Sequence, residues 1–165
     1  MIVVSDTTPL ISLLKIKRLA LLEKLFGQVF IPEAVFHELI INERFRHEAE
    51  QIKQCSFIAV KNVQNPYSTN ILKRATGLDL GESEAIVLTD ELKADLLLMD
   101  EAKGRTVSIE MGIKVMGTIG ILMAAYKEQE LTAHEVKECI HLLQNVGRHI
   151  GQRHYQKLLD RLKES

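Results

Sequence analysis

The sequence predicts an α/β fold: a three-layer α/β/α sandwich with a short, mainly parallel central sheet. Short β-branched or aliphatic runs alternate along the chain with longer segments whose apolar residues recur at helical spacing. One run, residues 96–99, is continuously apolar, which is typical of a strand covered on both faces. The chain of 165 residues is long enough for one compact domain and too short for two ordinary ones. We therefore expect residues 1–165 to form a single domain.

The first strand is predicted at residues 2–4, where β-branched side chains precede a polar stop. Residues 10–26 carry apolar side chains at helical spacing, and we expect two helices with a break near residues 15–17. Gly27 ends this segment, and a second strand is predicted at residues 29–31. This succession is the strand–helix–strand unit of a parallel sheet.

The middle of the chain continues the alternation. Pro32 stands where a first helical residue often does and opens a predicted helix that reaches residue 41. A third strand is predicted at residues 57–60. Residues 62–69, which include Asn65-Pro66, are expected to form a surface loop.

Two helices are predicted around the apolar strand at residues 96–99. They cover residues 81–92 and 101–111, and Gly112 is a suitable C-terminal cap for the second. A last strand is predicted at residues 114–116. It completes a set of five strands for the sheet.

The C-terminal part is predicted to be helical. One helix is expected from Thr118 to about residue 128, another behind the capping box of Thr132 and Glu135, and a last at residues 152–162. We expect residues 130–165 to pack on the body of the domain or on a partner. The end of this segment is basic, with one acid, Asp160, against Arg148, Arg153, Lys157, Arg161 and Lys163.

The composition excludes several classes of protein. The formal net charge is −1, so the chain is not of the strongly cationic kind that coats nucleic acid. Cys55 and Cys139 belong to no ligand-spaced cluster, which argues against a zinc site and fits the reducing cytoplasm. The N-terminus lacks the basic region of a signal peptide, and no apolar run is long enough to span a membrane. We expect a cytoplasmic protein without a membrane segment.

Three polar residues come directly after predicted strands: Asp6, Asp100 and Thr118. The carboxyl ends of parallel strands meet at one edge of a sheet, and ligands bind there. Each acid alone also fits the role of a helix N-cap. Two carboxylates at one edge, however, disfavour each other's charged form unless a cation lies between them. The pair therefore favours a metal site.

Further acids lie on predicted helices. Glu38 is in mid-helix, where a glutamate usually faces solvent. Glu82 and Glu84 fall in a first helical turn, where the macrodipole favours acids. Positions i and i+2 differ by about 200° around a helix, so these two cannot both point to one site. We choose Glu84, which precedes two apolar residues expected to face the sheet, and keep Glu82 as the alternative.

Other catalytic signatures are missing from the sequence. Its glycines form no phosphate-binding loop, and it contains neither a nucleophile elbow nor an HExxH zinc motif. Serine, cysteine and zinc hydrolases of those types therefore have no support.

Five segments resemble, in order, the sequence blocks of PIN-domain proteins. They are most similar to a prokaryotic PIN-like subfamily related to the VapC toxins of toxin–antitoxin pairs. The segments are IVVSDTTPLI (2–11), IPEAVFHEL (31–39), LGESEAIVL (80–88), LLLMDEAKGR (96–105) and VMGTIGIL (115–122). The resemblance implies a four-acid site on a short parallel sheet that binds Mg²⁺ or Mn²⁺ and hydrolyses RNA.

Carried over by position, the resemblance assigns that site to Asp6, Glu38, Glu84 and Asp100. Asp6 and Asp100 are expected to ligate the metal directly. Glu38 and Glu84 are expected to bind through water or to position the nucleophile. The third acid is more often Asp in the toxin group, so Glu84 departs from the pattern by one methylene.

Several other residues are expected to assist. Thr7 and Thr118 would orient the ligands, and Arg105 would contact phosphate. Thr118 also replaces an acid that is usual in some relatives. Scattered basic residues offer a surface for the RNA backbone: Lys15, Lys17, Arg18, Arg44, Arg46, Lys73 and Arg74.

Two alternatives to a ribonuclease stay open. One is a catalytically inactive PIN-like protein that binds a partner or regulates, which the departures at Glu84 and Thr118 allow. The other is a phosphotransfer or phosphatase domain, because Asp6 follows a first strand, although Thr8 stands where a second acid is usual. By the toxin analogy, an antitoxin is expected to cover the acidic site and the chain to form a homodimer.

Overall fold

The computed structural model describes residues 1–147 and 150–163, so Arg148 of the basic tail lies outside the described residues. Five short strands form one sheet, and every described pairing is parallel. They are β1 (Val3–Ser5), β2 (Val29–Pro32), β3 (Ile58–Lys61), β4 (Leu96–Leu98) and β5 (Val115–Met116). Their spatial order is β3-β2-β1-β4-β5, which places β1 at the centre.

The described residues also form ten α-helices. They are α1 (Thr7–Lys15), α2 (Leu21–Phe26), α3 (Glu33–Ile41), α4 (Arg46–Lys53), α5 (Pro66–Thr76), α6 (Leu80–Glu91), α7 (Ala102–Glu110), α8 (Thr118–Lys127), α9 (Ala133–Asn145) and α10 (Gln152–Lys163). A 3₁₀ turn, Glu43–Phe45, precedes α4. Within the described part of the chain, no helix is long and apolar enough to cross a membrane.

The two faces of the sheet bury two separate cores. Val3 pairs with Val29 and Leu96, and all three belong to the larger core, which α1, α2, α3, α4, α8, α9 and α10 complete. On the opposite face, Val4 and Leu97 pack against the buried side of α6. The period of two along each strand therefore sends alternate side chains to helices on both sides. The predicted three-layer α/β/α architecture is confirmed.

The C-terminal helices pack on the larger core. Val136 and Leu143 of α9 and Leu158 and Leu162 of α10 are buried there. Thr132 and Glu135 form the expected capping box at the start of α9. In this chain, α10 thus lies against the body of the domain.

Two local predictions need correction, and one is confirmed. The surface loop predicted for residues 62–69 is wrong from Pro66 onward, where α5 begins. Asn65 caps this helix, since its Oδ1 accepts hydrogen bonds from the backbone N–H groups of Tyr67 (3.1 Å) and Ser68 (3.4 Å). The prediction also missed α4, whose two buried residues are too few for a clear apolar pattern. The break between α1 and α2 is confirmed, with Lys17 at a φ of 59°.

Truncating a buried side chain of the central sheet should destabilise the smaller core. Leu97 is fully buried and Leu142 is 43% exposed. We expect Leu97→Ala to lower the free energy of unfolding by about 2–5 kcal/mol, since it removes buried methyl groups and leaves a void. Leu142→Ala, the matched control, should change it by less than about 1 kcal/mol. Urea unfolding followed by circular dichroism measures both, and equal losses would contradict the assigned burial.

Candidate functional site

Two acids stand together at the carboxyl edge of the sheet. Ser5 of β1 is in register with Leu98 of β4, and the backbone N–H of Asp6 donates to the carbonyl of Leu98 at 2.9 Å. Asp6 and Asp100 therefore leave adjacent central strands at the same end. This is the edge at which parallel sheets bind ligands.

The carboxylate of Asp6 is buried, with 4% of the residue exposed. Asp6 occupies the N-cap position of α1, but its side chain makes no capping hydrogen bond to any described residue. Burial raises its pKa to about 7; the backbone N–H of Thr7 opposes the shift, and the carboxylates of Asp79, Glu82 and Glu38 add to it. The Asp6 carboxylate thus faces the backbone N–H of Thr7 at the start of α1 and lies within the electrostatic field of three other acids.

Glu38 reaches this region from α3. Its Oε2 accepts a hydrogen bond of 2.7 Å from the Thr7 hydroxyl. A Cβ atom placed on Gly81 would lie 3.1 Å from the same oxygen and 3.6 Å from Oδ1 of Asp79. Because Gly81 has no side chain, the start of α6 can approach Glu38 closely. Asp79, which precedes α6, lies near the same point.

Asp79 and Glu82 begin α6 with a reciprocal capping box. Asp79 Oδ1 accepts from the Glu82 backbone N–H at 2.8 Å, and Glu82 Oε2 accepts from the Asp79 N–H at 3.4 Å. Burial, together with the charges of Asp79 and Glu101, raises the pKa of Glu82 to about 7. Sequence reasoning missed Asp79, although an acid followed three residues later by Glu is the capping-box signature that could have revealed it.

Glu84 has a different partner. Its Oε1 accepts a hydrogen bond of 3.1 Å from the backbone N–H of Ala34, the second residue of α3. The N-cap of that helix is Pro32, which has no side-chain acceptor. Glu84 therefore caps α3 from a neighbouring helix, while Glu82 is the α6 glutamate whose charge acts on Asp6.

Asp100 is held by the start of α8. Its two carboxylate oxygens accept hydrogen bonds from the backbone N–H (2.7 Å) and the hydroxyl (2.6 Å) of Thr118. Arg105 Nη1 donates to the Met99 carbonyl at 3.1 Å. A Cβ atom on Gly117 would stand 2.8 Å from Asp100 Oδ1 and 3.0 Å from Arg105 Nη1, so a glycine is needed for this close approach. Thr118 and Arg105 thus both lie at the Asp100 end of the site.

The donor set suits a hard divalent cation, because it consists of carboxylate oxygens at a strand edge. The buried Asp6 with three acids around it is an environment whose negative charge such a cation would neutralise. Among residues 1–147 and 150–163, no three His, Cys, Asp or Glu side chains already stand at ligand spacing. The carboxylates at this edge thus have the chemistry that a metal requires, whereas their side chains do not form a preassembled ligand set in the described part of the chain.

The basic residues predicted to follow RNA are dispersed over the surface. Arg18, between α1 and α2, places its Nη2 atom 3.8 Å from Oε1 of Glu135 on α9. Lys73 and Arg74 line a separate cavity of about 390 Å³ on α5 with the exposed Tyr67.

The raised pKa of Asp6 makes stability depend on pH. An unperturbed aspartate titrates near pH ~3.9. Between about pH 4 and pH 7 the unfolded chain releases a proton that folded Asp6 retains, so this group lowers stability as pH rises through that window. Asp6→Asn removes the effect, and without divalent metal it should exceed the wild type in stability by roughly 2–4 kcal/mol at pH 8, with little difference near pH 4.

Urea unfolding at pH 4.5 and pH 8 in the presence of EDTA measures this difference. Asp90→Asn, at an exposed position on α6, is the matched control and should follow the wild type at both values. Identical pH dependence of the two variants would show that Asp6 is not perturbed.

Comparison with known proteins agrees with the geometry. A family model described as a PIN domain matches residues 2–164. No curated protein matches the sequence. PIN domains are in general nucleases that act on RNA or DNA and usually use divalent metals. Since the match covers nearly the whole chain, the protein belongs to the PIN-domain family.

Proposed function

We propose that this protein is a divalent-metal-dependent ribonuclease that uses Mg²⁺ or Mn²⁺ to hydrolyse RNA phosphodiester bonds. The observation that carries the proposal is Asp6, a buried carboxylate at the carboxyl edge of the sheet. The charges of three further acids act on it. A carboxylate whose ionised form is disfavoured by burial and by nearby negative charge is typical of a functional site.

Asp6 and Asp100 are the proposed direct ligands, because they follow the adjacent strands β1 and β4 at the same edge of the sheet. Glu38 and Glu82 are proposed to act through water molecules. Glu82 takes the place that the resemblance assigns to Glu84, since the Glu82 charge acts on Asp6 and Glu84 caps α3. The assignment of Glu84 stays a prediction, and the experiment below separates the two.

The chain's own groups orient the site. The Thr7 hydroxyl fixes one oxygen of Glu38, and Thr118 holds both oxygens of Asp100, so two of the acids are restrained before any substrate arrives. Arg105, beside Asp100, is proposed to contact a phosphate oxygen of the RNA. The bound cation would supply Lewis-acid activation of water and neutralise charge on the phosphate.

The toxin role, an antitoxin partner, a homodimer and a cytoplasmic location stay predictions from the resemblance. A cavity of about 600 Å³ beside the acids supports a partner of basic and apolar character. Its lining includes Glu38, Asp79 and Glu84 together with Ile41 and Leu80, which are 66% and 45% exposed. An inactive PIN-like protein that binds such a partner is the alternative function.

Cleavage of labelled RNA tests the proposal directly. Purified protein should cut a mixed set of RNAs with Mg²⁺ or Mn²⁺ and not with EDTA. Asp6→Asn and Asp100→Asn should each lower the rate at least roughly 100-fold, because each removes a charged ligand. If no RNA is cut, Mn²⁺ calorimetry on the same samples decides, since failure to bind the ion favours the inactive partner-binding protein.

The third acid is identified by comparing two isosteric variants. Glu82→Gln should lower the cleavage rate by roughly tenfold or more, since it removes a charge beside Asp6. Glu84→Gln should keep most of the activity and lower the free energy of unfolding by about 1 kcal/mol, through a weaker cap on α3. The reverse pattern of rates would restore Glu84 as the third acid.

A further inference from the structure

A second cavity opens on the other side of Asp100. It has a volume of about 530 Å³ and lies between β5, the first turns of α8 and the face of α10 that carries Leu158. Asp100 and Arg105 line one end of it, and His154 and Arg161 line the other. The cavity therefore connects the proposed reaction centre with the C-terminal helix.

The α10 side of this cavity is cationic. His154, Leu158 and Arg161 stand at i, i+4 and i+7, which places them on one face of the helix. Leu158 is 3% exposed and anchors that face to the core, whereas His154 and Arg161 are exposed. Neither His154 nor Arg161 has an ion-pair partner among the described residues.

The wall between the two ends is apolar and open. Met116, Ile119 and Met123 line it and are half-buried. Gly117 and Gly120 lie in the same stretch, and a Cβ atom on Gly120 would stand 2.7 Å from Cγ of Met116. Side chains at these glycines would narrow the space beside Asp100. The surface is thus an apolar platform between Arg105 and Arg161.

This cavity and the one beside Glu38 differ in the charge of the residues that line them. The cavity of about 600 Å³ is lined by several acids, and the cavity of about 530 Å³ has two arginines and a histidine against the single acid Asp100. A polyanion that reaches the acidic edge is therefore attracted along the α10 side and repelled on the other. The volume is also within the range of about 300–1,000 Å³ that small-molecule sites occupy.

We infer that this cavity is a nucleotide subsite that holds single-stranded RNA next to the bond to be cleaved. Arg161 and His154 bind a backbone phosphate, and the platform of Met116, Ile119 and Met123 contacts the adjoining base. The inference rests on the proposed ribonuclease function and adds a role for α10, which lies outside the acidic centre. Because the contacts are to a phosphate and to the apolar face of a base, the subsite should bind single-stranded RNA without sequence preference.

The test is the binding of a fluorescent single-stranded RNA to the full chain in the non-cutting Asp6→Asn background with Mg²⁺, measured by anisotropy over a range of salt concentrations. Arg161→Gln should raise Kd roughly fivefold, for all sequences alike, and make the plot of log K against log salt less steep by roughly 0.7. Arg161→Lys should stay near the parent. Arg153→Gln, a matched exposed arginine on α10 that is absent from the cavity lining, should leave Kd and slope unchanged.

The other possible outcomes would each contradict either the subsite or the proposed function. Equal losses in Arg161→Gln and Arg153→Gln would mean that α10 acts only through its overall charge. Unchanged RNA binding with a shift in sedimentation would assign the face to contact between protein copies. If wild-type protein cuts RNA and Arg161→Gln binds it normally, only the subsite is wrong. If wild type neither cuts nor binds RNA, the proposed function fails together with the subsite.

Discussion

The parallel pairing of β1 with β4 is the constraint on which the rest of this structure depends. It joins the first strand of the chain to a strand more than ninety residues later, with Val3, Val4 and Ser5 in register with Leu96, Leu97 and Leu98. A shift of one residue would exchange the two cores, since alternate side chains face opposite helical layers. The same register brings Asp6 and Asp100 to one edge. Correct packing of the core and assembly of the site therefore depend on the same strand register.

The acidic edge has a cost that its surroundings partly offset. Burial and like charge favour the neutral form of Asp6, which opposes its ionisation at neutral pH. Thr7 donates a hydrogen bond to Glu38, and Thr118 donates two to Asp100, so two carboxylates at this edge have hydrogen-bond donors within the protein. Asp79 and Glu82 also satisfy free backbone N–H groups at the start of α6. Several of the acids thus stabilise local structure while they concentrate negative charge.

The helices around this edge differ in what they supply. Gly81 lies close to the carboxylate of Glu38 where α6 packs on α3, and Glu84 caps α3 across the same contact. On the opposite side, α10 is held to the body by Leu158 and Leu162 and carries exposed basic side chains. One flank of Asp100 is consequently cationic and the far flank of Asp6 is acidic. Under the proposed function, this asymmetry would direct RNA to the acidic edge from the α10 side.

The sequence by itself determined the strands, the layered fold, the break near residues 15–17 and the acids that follow β1 and β4, because these depend on periodicity, caps and chain order. It did not reveal α4, with two buried residues, or the start of α5 at Pro66, where an Asn–Pro pair is equally typical of a loop. Only the tertiary structure showed that Glu84 caps α3 and that the charges of Asp79 and Glu82 act on Asp6. The physical reason is that local sequence sets the side of a helix on which an acid lies, whereas the docking of α6 against α3 sets what that side faces.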